Sequence, residues 1–316
     1  MSTFNSYEKV ERIEKEECRG LLEGKSHIFE KIDGANSQIF LLDFEVAYGS
    51  RNRVLGVGEN LLSGDSFRGF YPWIKENISL LNQFFFKYRN VTLYGEWLVK
   101  HTVPYPAEFM TKFYCFDIMD DTGKFFYPND PIWNDLQTLF NYPIVVPCDG
   151  VVENCNIEDL MMFLDKPSGF GAPYREGIVI KNYDFINKYG RTPYGKILHK
   201  DFQEVKGKTK KNVNPEDLEV ELTNVYCTNA RVAKICNKIL DNVFKETEPS
   251  FNYDHVKLEM KHIPKVINLV FYDIITEDMN DIMKRFKYPT IDFKKFKFLV
   301  FESSKKQFVE YLSKQT

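Results

Sequence analysis

The chain has 316 residues, 43% of them apolar and 16% aromatic, enough to fill the core of one large domain or two smaller ones. Its 42 basic and 45 acidic side chains leave a formal charge of −3, which excludes any global attraction to nucleic acid, so such a partner needs a locally basic surface. The six cysteines (Cys18, Cys115, Cys148, Cys155, Cys227, Cys236) form no C-x-x-C pair. With no apolar run of membrane-spanning length and no basic-then-apolar leader, the chain reads as a reduced, cytoplasmic protein without a membrane partner.

From Ser26 to Glu204 short apolar runs alternate with turn signals, as in Ile28, Glu30 and Ile32 or Val91, Leu93 and Tyr94, and the period of two predicts mostly strands. One helix is expected from Pro72 to Tyr88, where Trp73, Ile74, Ile78, Leu81, Phe85 and Tyr88 recur three and four residues apart. Asp121-Thr122-Gly123 predicts a hairpin turn. After Glu204 the polar run KGKTKK (206–211) precedes a change of period from two to 3.6, which sets a domain boundary near Lys211. Asn214, followed by Pro215, Glu216 and Asp217, predicts a helix start. Further helical stripes are Val232, Ile235, Cys236, Ile239, Leu240 and Val243, then Val266, Ile267, Val270, Phe271, Ile274 and Ile275, and last Phe301, Lys305, Phe308, Val309 and Leu312. The expected architecture is α+β for residues 1–211 and a small all-α domain for 212–316.

The strongest local signal is Phe29-Glu30-Lys31-Ile32-Asp33-Gly34-Ala35-Asn36, a K-x-D-G between two apolar runs. A free lysine has a pKa of about 10.4, so only about one in a thousand is neutral near pH 7.4, and a nucleophilic lysine must be activated. Neighbouring cations and a nucleotide-bound metal would disfavour its charged form. Gly34 would let the backbone turn close to a nucleotide. Alone, the tetrad more often marks a hairpin turn with a surface lysine than a nucleophile. Glu96 and Glu176 lie beside strand-like runs, where carboxylates can accept ribose hydroxyls or hold a divalent metal, although a lone strand-end glutamate is more often simply solvated. In FYCFDIM (113–119) one ring could stack on a base.

Lys31 is followed in order by YGEWL (94–98), FYCFDIM, EGIVIK (176–181) and KILHKDF (196–202). This set resembles motifs I, III, IIIa, IV and V of the covalent nucleotidyltransferases, the superfamily of ligases and capping enzymes, and within it the RNA ligase 2 family. The resemblance implies a ligase adenylation domain of antiparallel sheets with flanking helices. It further implies ATP, a covalent AMP on Lys31, and Mg²⁺ or Mn²⁺. By the same resemblance Glu96 takes the ribose, Glu176 the metal and phosphate, and Phe116 the adenine, with Tyr114 and Phe113 one register away. Glu30 falls among the cofactor contacts, and Lys181 and Lys196 carry charge to the triphosphate. Arg51, with Arg53 as a near alternative, matches an arginine on AMP or the donor phosphate. Asn36 matches a residue of the sealing steps.

Two positions depart from the family. Asp33 stands where RNA ligase 2 proteins usually carry histidine, and Leu198 stands where motif V usually offers a second lysine. Strand alternation makes Lys200 the candidate substitute, a substrate contact. The function implied is ATP-dependent joining of RNA 3′-hydroxyl and 5′-phosphate ends, on a nicked duplex or an RNA–DNA hybrid, by a monomer. A DNA ligase, an mRNA guanylyltransferase and an inactive nucleic-acid-binding homologue are the alternatives.

Overall fold

Sheet pairing in the first part of the chain follows from how its apolar residues alternate. The computed structural model describes residues 4–62, 66–199, 202, 218–244 and 257–314. One sheet has the order β1 (Glu11–Arg12), β11 (Gly195–Leu198), β10 (Gly177–Lys181), β2 (Lys25–Lys31), β9 (Cys148–Glu153). The other runs β6 (Asn60–Leu61), β5 (Arg53–Val57), β4 (Glu45–Ser50), β3 (Ala35–Leu42), β7 (Val91–Leu98), β8 (Lys112–Asp120). Every pair is antiparallel except β1 with β11, so the fold is α+β as expected.

Alternation decides what each face of the first sheet does. Ile28, Ile178 and Ile180 are buried with Leu160, Phe163 and Leu164 of helix α3 (Ile157–Leu164). The opposite face carries Phe29, Lys31, Val179 and Lys181. There Val179 packs against Tyr7, Tyr94 and Tyr194, in a cluster that also takes in Phe116 of the second sheet. Behind the second sheet lies α1 (Phe70–Lys87), whose Phe70, Trp73, Ile74, Leu81, Phe84 and Phe85 are buried at helical spacing. It starts two residues before the predicted Pro72. That proline falls in the first turn, where no helical donor is lost.

The predicted hairpin turn is present: Gly123 N–H donates to Asp120 O at 3.1 Å, and Asp120 Oδ1 accepts from the N–H groups of Thr122 and Lys124. Two helices lie where mostly strands were expected, α2 (Pro131–Leu139) and α3. Both carry start signals that the period-two reading passed over, a proline at the first turn after Asp130 and a reciprocal cap between Asn156 and Asp159.

The chain divides into two compact units, one built on residues up to His199 and the other on helices from Leu218 onward. The second unit comprises α4 (Leu218–Tyr226), α5 (Asn229–Phe244), α6 (Ile263–Arg285) and α7 (Phe293–Ser313) around a shared apolar core. The expected start at Asn214, the KGKTKK run and the boundary near Lys211 lie outside the described residues. Val232, Ile235, Cys236 and Ile239 are buried as expected, as are Val266, Val270 and Ile274. The last stripe is displaced: α7 buries Phe296, Val300, Ser304 and Phe308, an i, i+4 line, whereas Val309 and Lys305 are exposed. Arg231, fully buried, bonds Asp273 Oδ2 at 2.6 Å, Asp278, and the Tyr226 carbonyl at 2.9 Å, tying α4 and α5 to α6.

Candidate active site

Lys31 ends β2, and its ladder partner is Gly177, so Glu176 comes alongside at the mouth of β10. Lys31 Nζ donates to Glu176 Oε2 at 2.6 Å. Burial alone would pull the lysine down, but Glu176, Glu96 and Asp33 outweigh it and hold the amine above its ordinary pKa. The described residues thus raise the Lys31 pKa where activating cations were expected to lower it. Among the described side chains, those that act most on Lys31 are the carboxylates Glu176, Glu96 and Asp33.

Glu96 reaches this point from β7, where it pairs with Asn36 of β3. Its Oε1 accepts the Gly34 N–H at 3.0 Å. Burial pushes its pKa up to about 7 and Glu176 adds to the rise, against the pull of Lys31, His101 and Arg51. Gly34 is required for a reason other than a turn toward a nucleotide: a Cβ there would stand 2.6 Å from the Trp97 carbonyl oxygen and 2.9 Å from Glu96 Cγ. Burial and Asp33 likewise raise Glu176, opposed by Lys31 and, from β11, by Lys196. Lys196 and Leu198 stand in successive rows on the Lys31 face, opposite Val179 and Gly177, and Leu198 is buried. Lys200 lies outside the described residues.

Asp33 builds the loop beside the lysine. Its Oδ2 accepts the N–H groups of Thr102 at 2.7 Å and Val103 at 2.9 Å, and His101 Nδ1 stands 3.4 Å from Oδ1. Its own N–H donates to Tyr105 Oη at 3.0 Å. Burial would raise its pKa, but these partners and Lys31 hold it below the usual value. His101 and Tyr105 were not singled out from the sequence; only closeness to Glu96 along the chain could have flagged His101.

Phe116 is the extra residue of a β-bulge: Tyr94 pairs with Asp117 and Gly95 with Cys115, so Phe116 is skipped. The bulge frees its carbonyl and re-aims its ring. The ring is half-buried, 5.1 Å from that of Tyr7. Of the two alternatives, Phe113 is sealed in the core behind the sheet, and Tyr114 is buried with its hydroxyl donating to the Phe109 carbonyl. Of the three rings, Phe116 is thus the one left partly open, beside Lys181.

Two expected contacts are corrected. Glu30 alternates with Lys31 and falls on the opposite, core-facing side, where its carboxylate accepts Ser168 Oγ at 2.6 Å and Gly169 N–H at 2.7 Å beside Arg175. It is a structural tie, not a cofactor contact through its side chain. Lys181 shares the face of Lys31 but lies at the far end of β10, opposite His27, about 13 Å of strand away. Its ammonium is buried, 2.8 Å from Asp117 Oδ1 and 2.6 Å from the freed Phe116 carbonyl, over the rings of Phe29, Phe116 and Tyr194. Burial lowers its pKa against the opposing pull of Asp117, whose other oxygen accepts the Tyr7 hydroxyl. Asp117 and Tyr7 were also missed, although Asp117 lies inside the quoted FYCFDIM. Removing one member of such a pair strands a charge. Lys181→Ala is therefore expected to cost about 3–5 kcal/mol of stability. Urea unfolding checks this, and an unchanged midpoint would show that the pair does not hold the fold.

Arg51 sits in the turn between β4 and β5, close enough to Glu96 and Tyr7 to act on both. Among the described residues, Arg51 Nε and Asn36 Oδ1 are buried with no hydrogen-bond partner. Buried polar atoms are rarely left so, and both residues neighbour Glu96, Asn36 as its ladder partner and Arg51 through its charge.

Lys31 on the first sheet thus lies in the field of carboxylates from both sheets and their loops, Glu176, Glu96 and Asp33. The family model described as RNA ligase matches residues 25–194, more than half of the chain, and the chain belongs to that family. No curated protein sequence matches the chain. Among solved structures it is similar to a Naegleria gruberi RNA ligase mutant with ATP and Mn (21% identity, TM-score 0.44) and to another with AMP and Mn (22%, 0.47). It is also similar to the same ligase with PPi (22%, 0.43). In each case 63% of this chain covers 57% of the other, so the chain spans little more than half the length of these structures.

Proposed function

We propose that the chain is an ATP-dependent RNA ligase that joins 3′-hydroxyl and 5′-phosphate ends through lysyl-AMP and AMP–polynucleotide intermediates. The observation that carries this reading is Lys31 on the cleft face, in contact with Glu176 and within the field of Glu96, in a chain of the RNA ligase family. In the first step the neutral Lys31 amine attacks the α-phosphorus of ATP, an N–P bond forms, the bond to pyrophosphate breaks, and the amine gives up a proton. AMP then passes to a 5′-phosphate, and a 3′-hydroxyl displaces it. Phe116 stacks on adenine, Glu96 accepts the ribose hydroxyls, and Lys196 and Arg51 face the phosphates, with Arg51 Nε and Asn36 Oδ1 as atoms a ligand can satisfy.

Among the described residues no group of three or more His, Cys, Asp and Glu side chains could hold a metal by itself. One carboxylate, Glu176, beside a phosphate subsite fits Mg²⁺ or Mn²⁺, which is commonly held by one or two carboxylates plus phosphate oxygens. When bound, such an ion supplies neutralisation of phosphate charge. The substrate in this reading is a nicked RNA duplex or an RNA–DNA hybrid, handled by a monomer in the cytoplasm. For the structure's part, no described helix is long and apolar enough to cross a membrane.

The test is incubation with α-labelled ATP and Mn²⁺, followed by denaturing electrophoresis. A retained label is expected with ATP and not with GTP; a label only with GTP would favour a capping enzyme, and none with either would sink the reading. Residues 1–211 form the adenylylating domain and 212–316 a separate helical one. A fragment ending at Lys211 should keep a folded circular dichroism spectrum and still take the label, while sealing nicks at about one tenth of the full rate or less, because holding two ends in line needs further surface. Full-rate sealing by the fragment would contradict that division.

A further inference from the structure

The exposed face of α7 interleaves lysines with aromatic rings in a way that neither the apolar core nor the adenylylation site uses. Lys294, Phe298, Phe301 and Lys305 recur at four-, three- and four-residue steps, which puts them on one stripe of the helix. Phe298 is 65% exposed although apolar, whereas Phe301 is half-buried. Lys297 holds its ammonium 5.2 Å over the Phe301 ring and 5.9 Å over that of Phe271 on α6, and those rings meet edge to face at 6.3 Å. Glu302 is an exposed acid beside the stripe, and Lys295 is turned away to Glu219 at 3.1 Å.

We propose that this face binds single-stranded RNA, with a base stacked on Phe298 and phosphates on Lys294, Lys297 and Lys305. The inference rests on the RNA-joining reading. Charge selects a polyanion, and the alternation selects one whose charges and flat apolar faces alternate along its length. An anionic membrane fits less well. An interfacial helix needs a continuous apolar face, whereas here the apolar line of α7 is spent on Phe296, Val300 and Phe308 in the core.

The probe is a fluorescein-labelled single-stranded RNA of twelve nucleotides, titrated with the full chain and followed by anisotropy. Phe298→Ala is expected to weaken binding about tenfold, the effect of losing one stacked base, and Phe298→Trp to restore it. Lys294→Gln with Lys297→Gln should weaken binding and lower the slope of log affinity against log salt by about 1.4, which is two phosphate contacts. Circular dichroism of each variant confirms the helices. Folded variants with unchanged RNA affinity, or an unsubstituted chain that binds phosphatidylserine vesicles but not RNA, would overturn the proposal. ATP labelling of the unsubstituted chain separates the two failures: label without an effect of the variants refutes this surface alone, and no label refutes the ligase reading beneath it.

Discussion

Lys31→Ala is expected to abolish covalent labelling by ATP. Lysine is the only side chain of the K-x-D-G segment able to form a phosphoramide, and Lys196 projects from a different strand, opposite Val179 rather than Gly177. Alanine has a side effect that must be separated: it leaves Glu176, Glu96 and Asp33 facing one another without their shared cation, which lowers stability or drives protons onto them. Lys31→Arg keeps a cation beside Glu176 but offers no usable nucleophile at neutral pH. The arginine variant should therefore unfold nearly as the parent does and yet take no label. Undiminished labelling of both variants would remove Lys31 from the chemistry.

The second large effect concerns Glu176 and pH. Carboxylates hold the Lys31 pKa above its ordinary value, and attack needs the neutral amine, so single-turnover adenylylation should climb as pH rises through the neutral range and beyond. Glu176→Gln removes the largest of the raising influences. The midpoint of the pH–rate curve should then move to lower pH. The plateau should fall at the same time, by about 10²-fold or more, if Glu176 stabilises charge that develops in the transition state. A midpoint that stays in place or moves upward would show that Glu176 does not govern the lysine; a retained plateau would leave it a purely electrostatic neighbour.

Much of the fold was legible because period two and period 3.6 report burial directly. The sheets around Ile28 and Ile180 and the helices carrying Trp73, Val232 and Val270 follow from those periods. The short helix α3 was missed because eight residues hold barely two turns of periodicity, and the Asn156–Asp159 cap is what marks it. On α7 the apolar letters do not coincide with the buried line, since Ser304 is inside and Phe298 outside. At the candidate site, three of the residues named from the ordered motifs, Lys31, Glu96 and Glu176, stand within reach of one another. Motifs could not reveal pairings made across the sequence, such as Tyr7 with Asp117 or Asp33 with the backbone of Thr102 and Val103. Nor did they show that Lys181 faces inward: strand lysines are usually solvated, and its burial depends on a bulge in a different strand that frees the Phe116 carbonyl.

The ion pair between Lys31 and Glu176 has a further consequence for chemical selectivity. A lysine on a surface reacts slowly with whatever small electrophiles a cell contains, and each such event would permanently retire a protein that depends on that amine. Lys31 is partly reachable, with 23% of its side chain exposed, but it is stored as a cation clasped by a carboxylate. Neutral acylating and carbamoylating reagents carry nothing that competes for Glu176, so toward them the amine reacts only through its small neutral fraction. On the proposed function, the contact that slows Lys31 toward ATP slows it toward such reagents as well.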